Sequence, residues 1–290
     1  MFDQVRKFVT TFRELEKQER PLTGEEEARR KRLRQILASP QPQESLHQQT
    51  PRRVLAIASF YPQAGASFIA SNLACYQAAN QIETTLCEMP DGEPYYYFSL
   101  DSEARGKAEA GGEEGIVEKA VYLQDGYLRV KAISPFPRLT PTHPRIASWF
   151  LANSKHASML IIDLSSHIQR ETAAWLADLA DEVWVVCDSD IPRLARTILT
   201  QDAPGWWSKH FQKIRLIANK WDTAFARSSV IKRLEGTISL WHQEQQIKPI
   251  ELFVPQISSE KVIGAQINSK FLLEMYPEEG EVFARLAALR

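Results

Sequence analysis

The feature that most limits what this chain can fold into is a strand, a tight loop and a helix in immediate succession between Arg53 and Ala79. Arg53-Val54-Leu55-Ala56-Ile57-Ala58-Ser59 is a short, bounded apolar run, the pattern of a parallel strand buried on both faces. From Ser67 to Ala79 the apolar residues Ile69, Leu73 and Tyr76 recur on one helical face. The intervening Phe60-Tyr61-Pro62-Gln63-Ala64-Gly65-Ala66 leads straight into that helix. Such a loop turns free backbone N–H groups and the positive end of the helix dipole toward one point, where an anion is favoured.

The rest of the chain repeats the alternation. Strands are expected at Glu83–Glu88, Gly126–Ile133, Met159–Asp163, Glu182–Cys187, Ile214–Asp222 and Ile250–Pro255. Helices are expected at Pro144–Asn153, Glu171–Ala180, from Ile191-Pro192-Arg193 onward, and at Glu279–Arg290. Strands alternating with helices predict an α/β fold, a mostly parallel twisted sheet with helices on both faces. Met159-Leu160-Ile161-Ile162-Asp163 is an apolar strand ending in an acid, which places a carboxylate at the sheet edge where such folds bind ligands. Tyr95-Tyr96-Tyr97-Phe98 cannot all face one way, so core packing and a partner-contact surface are both open to it. Asp101 to Glu114 reads as a charged surface loop or a poorly formed helix.

Ahead of this domain, residues 1–39 read as a helical arm. Phe2, Val5, Val9 and Phe12 form a stripe, Pro21 to Glu26 is a break, and Arg29 to Leu37 form a second helix rich in arginine. The pair predicts a helical hairpin that makes protein contacts. Residues 40–52, with Pro40, Pro42 and several glutamines, read as a linker, and 53–290 as the main domain. A net charge of −1 gives no global basic field, so no nucleic-acid partner is expected. Cys75, Cys87 and Cys187 are too scattered for a disulfide framework or a metal site, which fits a reducing cytoplasm. No signal peptide is recognisable, and no apolar run reaches the length of a membrane span.

The loop resembles the P-loop of the ParA/MinD-type ATPases, whose pattern is K-G-G-x-G-K-[ST]. Tyr61-Pro62-Gln63-Ala64-Gly65-Ala66-Ser67 occupies those places, and Asn72-Leu73-Ala74 matches the helix that follows. Asp163 matches the family's Walker B acid, Leu179-Ala180-Asp181-Glu182-Val183 its A-D-E-V run, and Asn219-Lys220 its Asn-Lys pair. The departures fall on the chemistry. Tyr61 and Ala66 replace both family lysines, Pro62 and Gln63 replace glycines, and His167 stands where the γ-phosphate-sensing glycine belongs. Glu88-Met89-Pro90 stands where the family has a D-x-D-like element.

The resemblance implies a vestigial nucleotide site of Gly65, Ala66, Ser67, Asp163 and Asn219, with Ser67 and Asp163 as magnesium ligands only where a Mg-nucleotide binds. It implies no catalytic residue and no resident cofactor, and at most weak binding of ATP with magnesium. Within the family the chain looks closest to the CpaE/TadZ-like pilus-assembly branch. The function implied is a non-catalytic scaffold, a homodimer that positions an envelope or pilus-type apparatus through protein partners. Its place would be the cytoplasm, including the inner face of the membrane. The alternatives are a nucleotide-dependent ATPase switch and a degenerate DNA-partition protein. Asn219-Lys220-Trp221-Asp222 also matches a guanine-recognition spacing taken literally, but the surrounding order favours the ATPase-like family.

Overall fold

The computed structural model describes residues 53–108, 118–135, 142–155, 157–222, 228–242 and 247–289. The expected arm and linker, residues 1–52, lie outside the described residues, as do 109–117 of the charged stretch after Asp101.

The first half runs β1 (Arg53–Ser59), α1 (Ala66–Ala79), β2 (Thr84–Glu88), α2 (Tyr95–Ser99), α3 (Ser102–Arg105), β3 (Lys107–Ala108), β4 (Glu118–Leu123), β5 (Leu128–Ile133) and α4 (His143–Ser154). Then come β6 (Met159–Ser165), α5 (Glu171–Leu179), β7 (Glu182–Cys187), α6 (Ile191–Thr200), α7 (Gly205–Lys209), β8 (Ile214–Trp221) and α8 (Ser228–Ile238). β9 (Ile250–Pro255), α9 (Ser259–Ile267), α10 (Leu272–Met275) and α11 (Gly280–Ala287) complete it.

Among the described residues the strands form one nine-stranded sheet in the order β3-β4-β5-β2-β6-β1-β7-β8-β9. From β5 to β9 every neighbouring pair is parallel. The hairpin β4–β5 and the short β3 add an antiparallel edge. The expected parallel sheet is therefore present, and the antiparallel edge is an addition. Of Asp101–Glu114, read as a loop or a poorly formed helix, the described part holds the four-residue α3 and the two-residue β3, the strand being unexpected.

The period of two in β1 divides the core. Leu55 and Ile57 point to one side, packing with Ile69, Leu73, Trp184, Phe283 and Leu286. Val54, Ala56 and Ala58 point to the other, with Leu160, Ile162, Leu176, Leu194 and Trp207. From Val54 to Ser59 each residue of β1 is buried whichever way it faces, which is why the run reads as continuously apolar. α1 and α11 cover the first face, and α5, α6 and α7 the second. The terminal helix thus packs its Phe283 and Leu286 against the sheet, as its apolar stripe predicts. All three cysteines are buried free thiols.

This winding fixes where a ligand site forms. β1 and β6 are neighbours, yet the helices that follow them, α1 and α5, lie on opposite faces. A crevice opens between such strands at their carboxyl ends, the usual binding position in open α/β sheets. Register brings Ile57 of β1 and Glu88 of β2 alongside Asp163 of β6 at that edge.

Candidate functional site

The loop from Phe60 to Gly65 fills this crevice and is held from outside by its own carbonyls. The Asn219 side chain donates from Nδ2 to the Ala64 carbonyl at 2.9 Å. Lys220 donates from Nζ to the Gln63 carbonyl at 2.5 Å. Ser59 donates from its hydroxyl to the Tyr61 carbonyl at 3.0 Å. The Phe60 N–H donates to the Val186 carbonyl at 3.1 Å and the Ala64 N–H to the Tyr61 carbonyl at 3.4 Å, and no side chain caps α1. Gly65 has φ of +108°, and a Cβ there would come within 2.0 Å of Asn219 Nδ2. Only glycine accepts both conditions.

Tyr61, at the family's signature-lysine place, does not face the crevice. Its ring is 3% exposed, its hydroxyl donates to Asp188 Oδ1 at 2.7 Å, and Arg193 lies over the ring at 5.1 Å. Burial and the Asp188 carboxylate both push the phenol's pKa upward. Lys220 stands 3.5 Å from Asp188 Oδ2, so its charge is already countered. Ala66 is buried at the start of α1. Phe60 packs against the rings of Trp207 and Trp241, at 5.7 and 5.4 Å, which also meet each other edge-on at 5.4 Å. The loop is therefore anchored to the sheet by aromatic packing and a tyrosine–carboxylate bond.

Ser67 and Asp163 do come together. The Ser67 and Ser165 hydroxyls share a hydrogen bond of 3.1 Å. Asp163 Oδ1 accepts from the Ser165 backbone N–H at 2.7 Å and from its hydroxyl at 3.2 Å. Asp163 Oδ2 accepts from the Tyr96 hydroxyl at 2.9 Å. Burial raises the Asp163 pKa against these donors. A magnesium ion demands near-octahedral oxygen ligands at about 2.0–2.1 Å and keeps several of its waters. Here the carboxylate is 2% exposed and engaged by protein donors at both oxygens, so the residues do not fit a Mg-nucleotide as they stand. Among the described residues no group of three or more His, Cys, Asp or Glu side chains is placed to hold a metal.

Glu88 is also internal. Its carboxylate accepts from the Tyr96 N–H at 2.6 Å and the Ile133 N–H at 3.0 Å. Burial pushes its pKa up to about 8 although these donors pull the other way. His167 is half-buried, and burial, followed by the nearby Arg170, lowers its pKa. Its backbone N–H closes a turn on the Leu164 carbonyl at 3.0 Å.

Beside the loop a cleft of about 300 Å³ remains, lined by Gly65, Phe68, Asn219, Lys220, Pro255 and Val262 among others. Gly65, Ala66, Ser67, Asp163 and Asn219 are thus gathered at one edge of the sheet. Asn219 spends its amide on the loop carbonyl. Sequence alone does not single out Tyr96 and Asp188 for this edge, because their partners lie 67 and 127 residues away. Of the aromatic run, Tyr96 and Tyr97 are buried while Tyr95 and Phe98 are 42% and 67% exposed.

No protein-family model matches the sequence, and neither does any curated protein. Solved structures do match in fold. A ParA family ATPase from Chlorobium tepidum TLS is 18% identical, with 81% of this chain and 98% of that one covered and a TM-score of 0.53. A chain of the MinC:MinD cell division protein complex of Aquifex aeolicus is 14% identical, covering 82% and 97%, with a TM-score of 0.56. A plasmid partition protein of Borrelia burgdorferi B31 bound to AMPPNP is 12% identical, covering 82% and 98%, with a TM-score of 0.52.

Proposed function

We propose that this protein, which has the ParA/MinD-like P-loop NTPase fold, is a non-catalytic scaffold. In this reading it acts as a homodimer, positioning an envelope or pilus-type apparatus from the inner face of the membrane through protein contacts. One observation carries the non-catalytic part: each family residue that survives has a partner within the fold. Gly65 makes room for Asn219, Ser67 bonds Ser165, and Asp163 bonds Ser165 and Tyr96. Their retention needs no ligand, whereas the two lysine positions, which would need one, are filled by Tyr61 and Ala66. Support for protein contacts comes from the Aquifex MinC:MinD complex, a neighbour that works with a protein partner. Among the described residues no helix is long and apolar enough to cross a membrane.

The test is where the protein sits in its own cells. A fluorescent fusion of the full chain is expected at discrete envelope sites, and Ser67→Ala is expected to leave that pattern intact. Dispersal of this variant would favour a nucleotide-dependent switch. Wild-type fluorescence coincident with the nucleoid would favour the partition alternative.

The cleft beside Asn219 and Lys220 favours one second reading, weak nucleotide binding without turnover. A charge-assisted hydrogen bond contributes about 1.5–3 kcal/mol, so lacking the loop lysine weakens ATP binding about ten- to a hundredfold or somewhat more. Calorimetry with Mg-ATP is therefore expected to show weak or undetectable binding. Ala66→Lys should recover only part of it, because Pro62 and Gln63 still alter the loop. Wild-type binding at micromolar concentration or tighter would promote the switch, and a clear preference for GTP would revive the literal reading of Asn219 to Asp222.

A further inference from the structure

Tyr96 reaches back from the segment after β2 to the acid at the end of β6. Its hydroxyl lies 2.9 Å from Asp163 Oδ2 and 3.3 Å from the Ser67 carbonyl. The ring is fully buried, with Phe271 edge-on at 5.7 Å and Tyr95 at 5.4 Å. The same residue's N–H is held by Glu88 Oε1 at 2.6 Å, and Glu88 Oε2 is held in turn by the Ile133 N–H. Both ends of Tyr96 are thus fixed to buried carboxylates, one on β2 and one on β6. A phenol hydroxyl donates one hydrogen bond to a carboxylate oxygen, the same service that a metal-bound water provides. A metal and its waters would need this volume and this oxygen.

We infer that Tyr96 is an internal replacement for the metal ion. It closes Asp163 to divalent cations and holds α2 in one position whether or not nucleotide is present. This deepens the non-catalytic reading and rests on it.

The test uses the full chain, with Mn2+ as the probe and the paramagnetic resonance signal of free Mn2+ as the readout. Wild type is expected to take up no Mn2+ at sub-millimolar concentrations. Tyr96→Ala, which removes both the donor and the ring that fills the volume, is expected to take up one Mn2+ with sub-millimolar affinity. Adding Asp163→Asn should abolish that uptake. Hydrogen exchange in residues 95–105 of wild type should be the same with and without Mg-ATP, and Tyr96→Phe should raise it about tenfold or more. Asp163-dependent Mn2+ uptake by wild type would overturn the inference, as would a folded Tyr96→Ala that takes up none. Nucleotide-dependent exchange in 95–105 of wild type would also overturn it, and needs no variant. Phosphate release is read in the same wild-type samples. Turnover would refute the non-catalytic reading, while Mn2+ uptake without turnover would refute only the role of Tyr96.

Discussion

Gly65→Ala is expected to destabilise the domain by about 3 kcal/mol, from two separable causes. The first is backbone strain: an L side chain at positive φ costs about 1–2 kcal/mol, and Gly65 sits at φ of +108°. The second is contact. The new Cβ would stand 2.0 Å from Asn219 Nδ2, and Asn219 is 2% exposed with its amide bonded to the Ala64 carbonyl. Displacing that amide leaves a buried carbonyl unpaired, at about 1–3 kcal/mol. Gly126→Ala is the internal control. Gly126 has φ of +90°, but a methyl group there would meet nothing within 4 Å, so only the strain of about 1–2 kcal/mol applies. Urea midpoints of the two variants separate the causes. Equal losses would mean that Asn219 yields freely, and that Gly65 is not retained to accommodate it.

Much of this fold is visible in the sequence, for a physical reason. Strands buried on both faces, such as β1 and β7, carry polar residues only at their ends (Arg53, Ser59 and Glu182), so the apolar run inside each is unbroken. The acid that ends β6 stands out against its apolar run. β4 is hidden because it begins with charges that the fold pairs internally. Glu118 accepts from Trp149 Nε1 at 2.6 Å and lies 3.7 Å from Lys131 Nζ, both charged side chains being nearly buried. A charged residue in a protected position reads as surface until its partner is known. The site divides the same way. Gly65, Ser67, Asp163 and Asn219 belong to local motifs and are legible as a set. What they touch is not: Tyr96 and Asp188 reach the site only through the winding of the sheet. The fate of Tyr61 follows from that. Sequence shows a missing lysine, while the structure shows a side chain turned away from the crevice onto Asp188.

The largest expected effect concerns turnover. Phosphoryl transfer relies on positioned positive charge around the transferring group, and removing one such donor costs about 10²–10³ in rate. Two lysine positions are without a cation here. Tyr61 points away, and Lys220 is tied to Gln63 and Asp188. If the two losses add, hydrolysis falls by about 10⁴–10⁶, to the level of the uncatalysed background in an ordinary assay. The direct measurement is phosphate release from Mg-ATP by the purified full chain, alone and with a candidate partner, beside Asp163→Asn. The account predicts that wild type and variant are indistinguishable from buffer. ATP turnover by wild type that disappears in Asp163→Asn would contradict it.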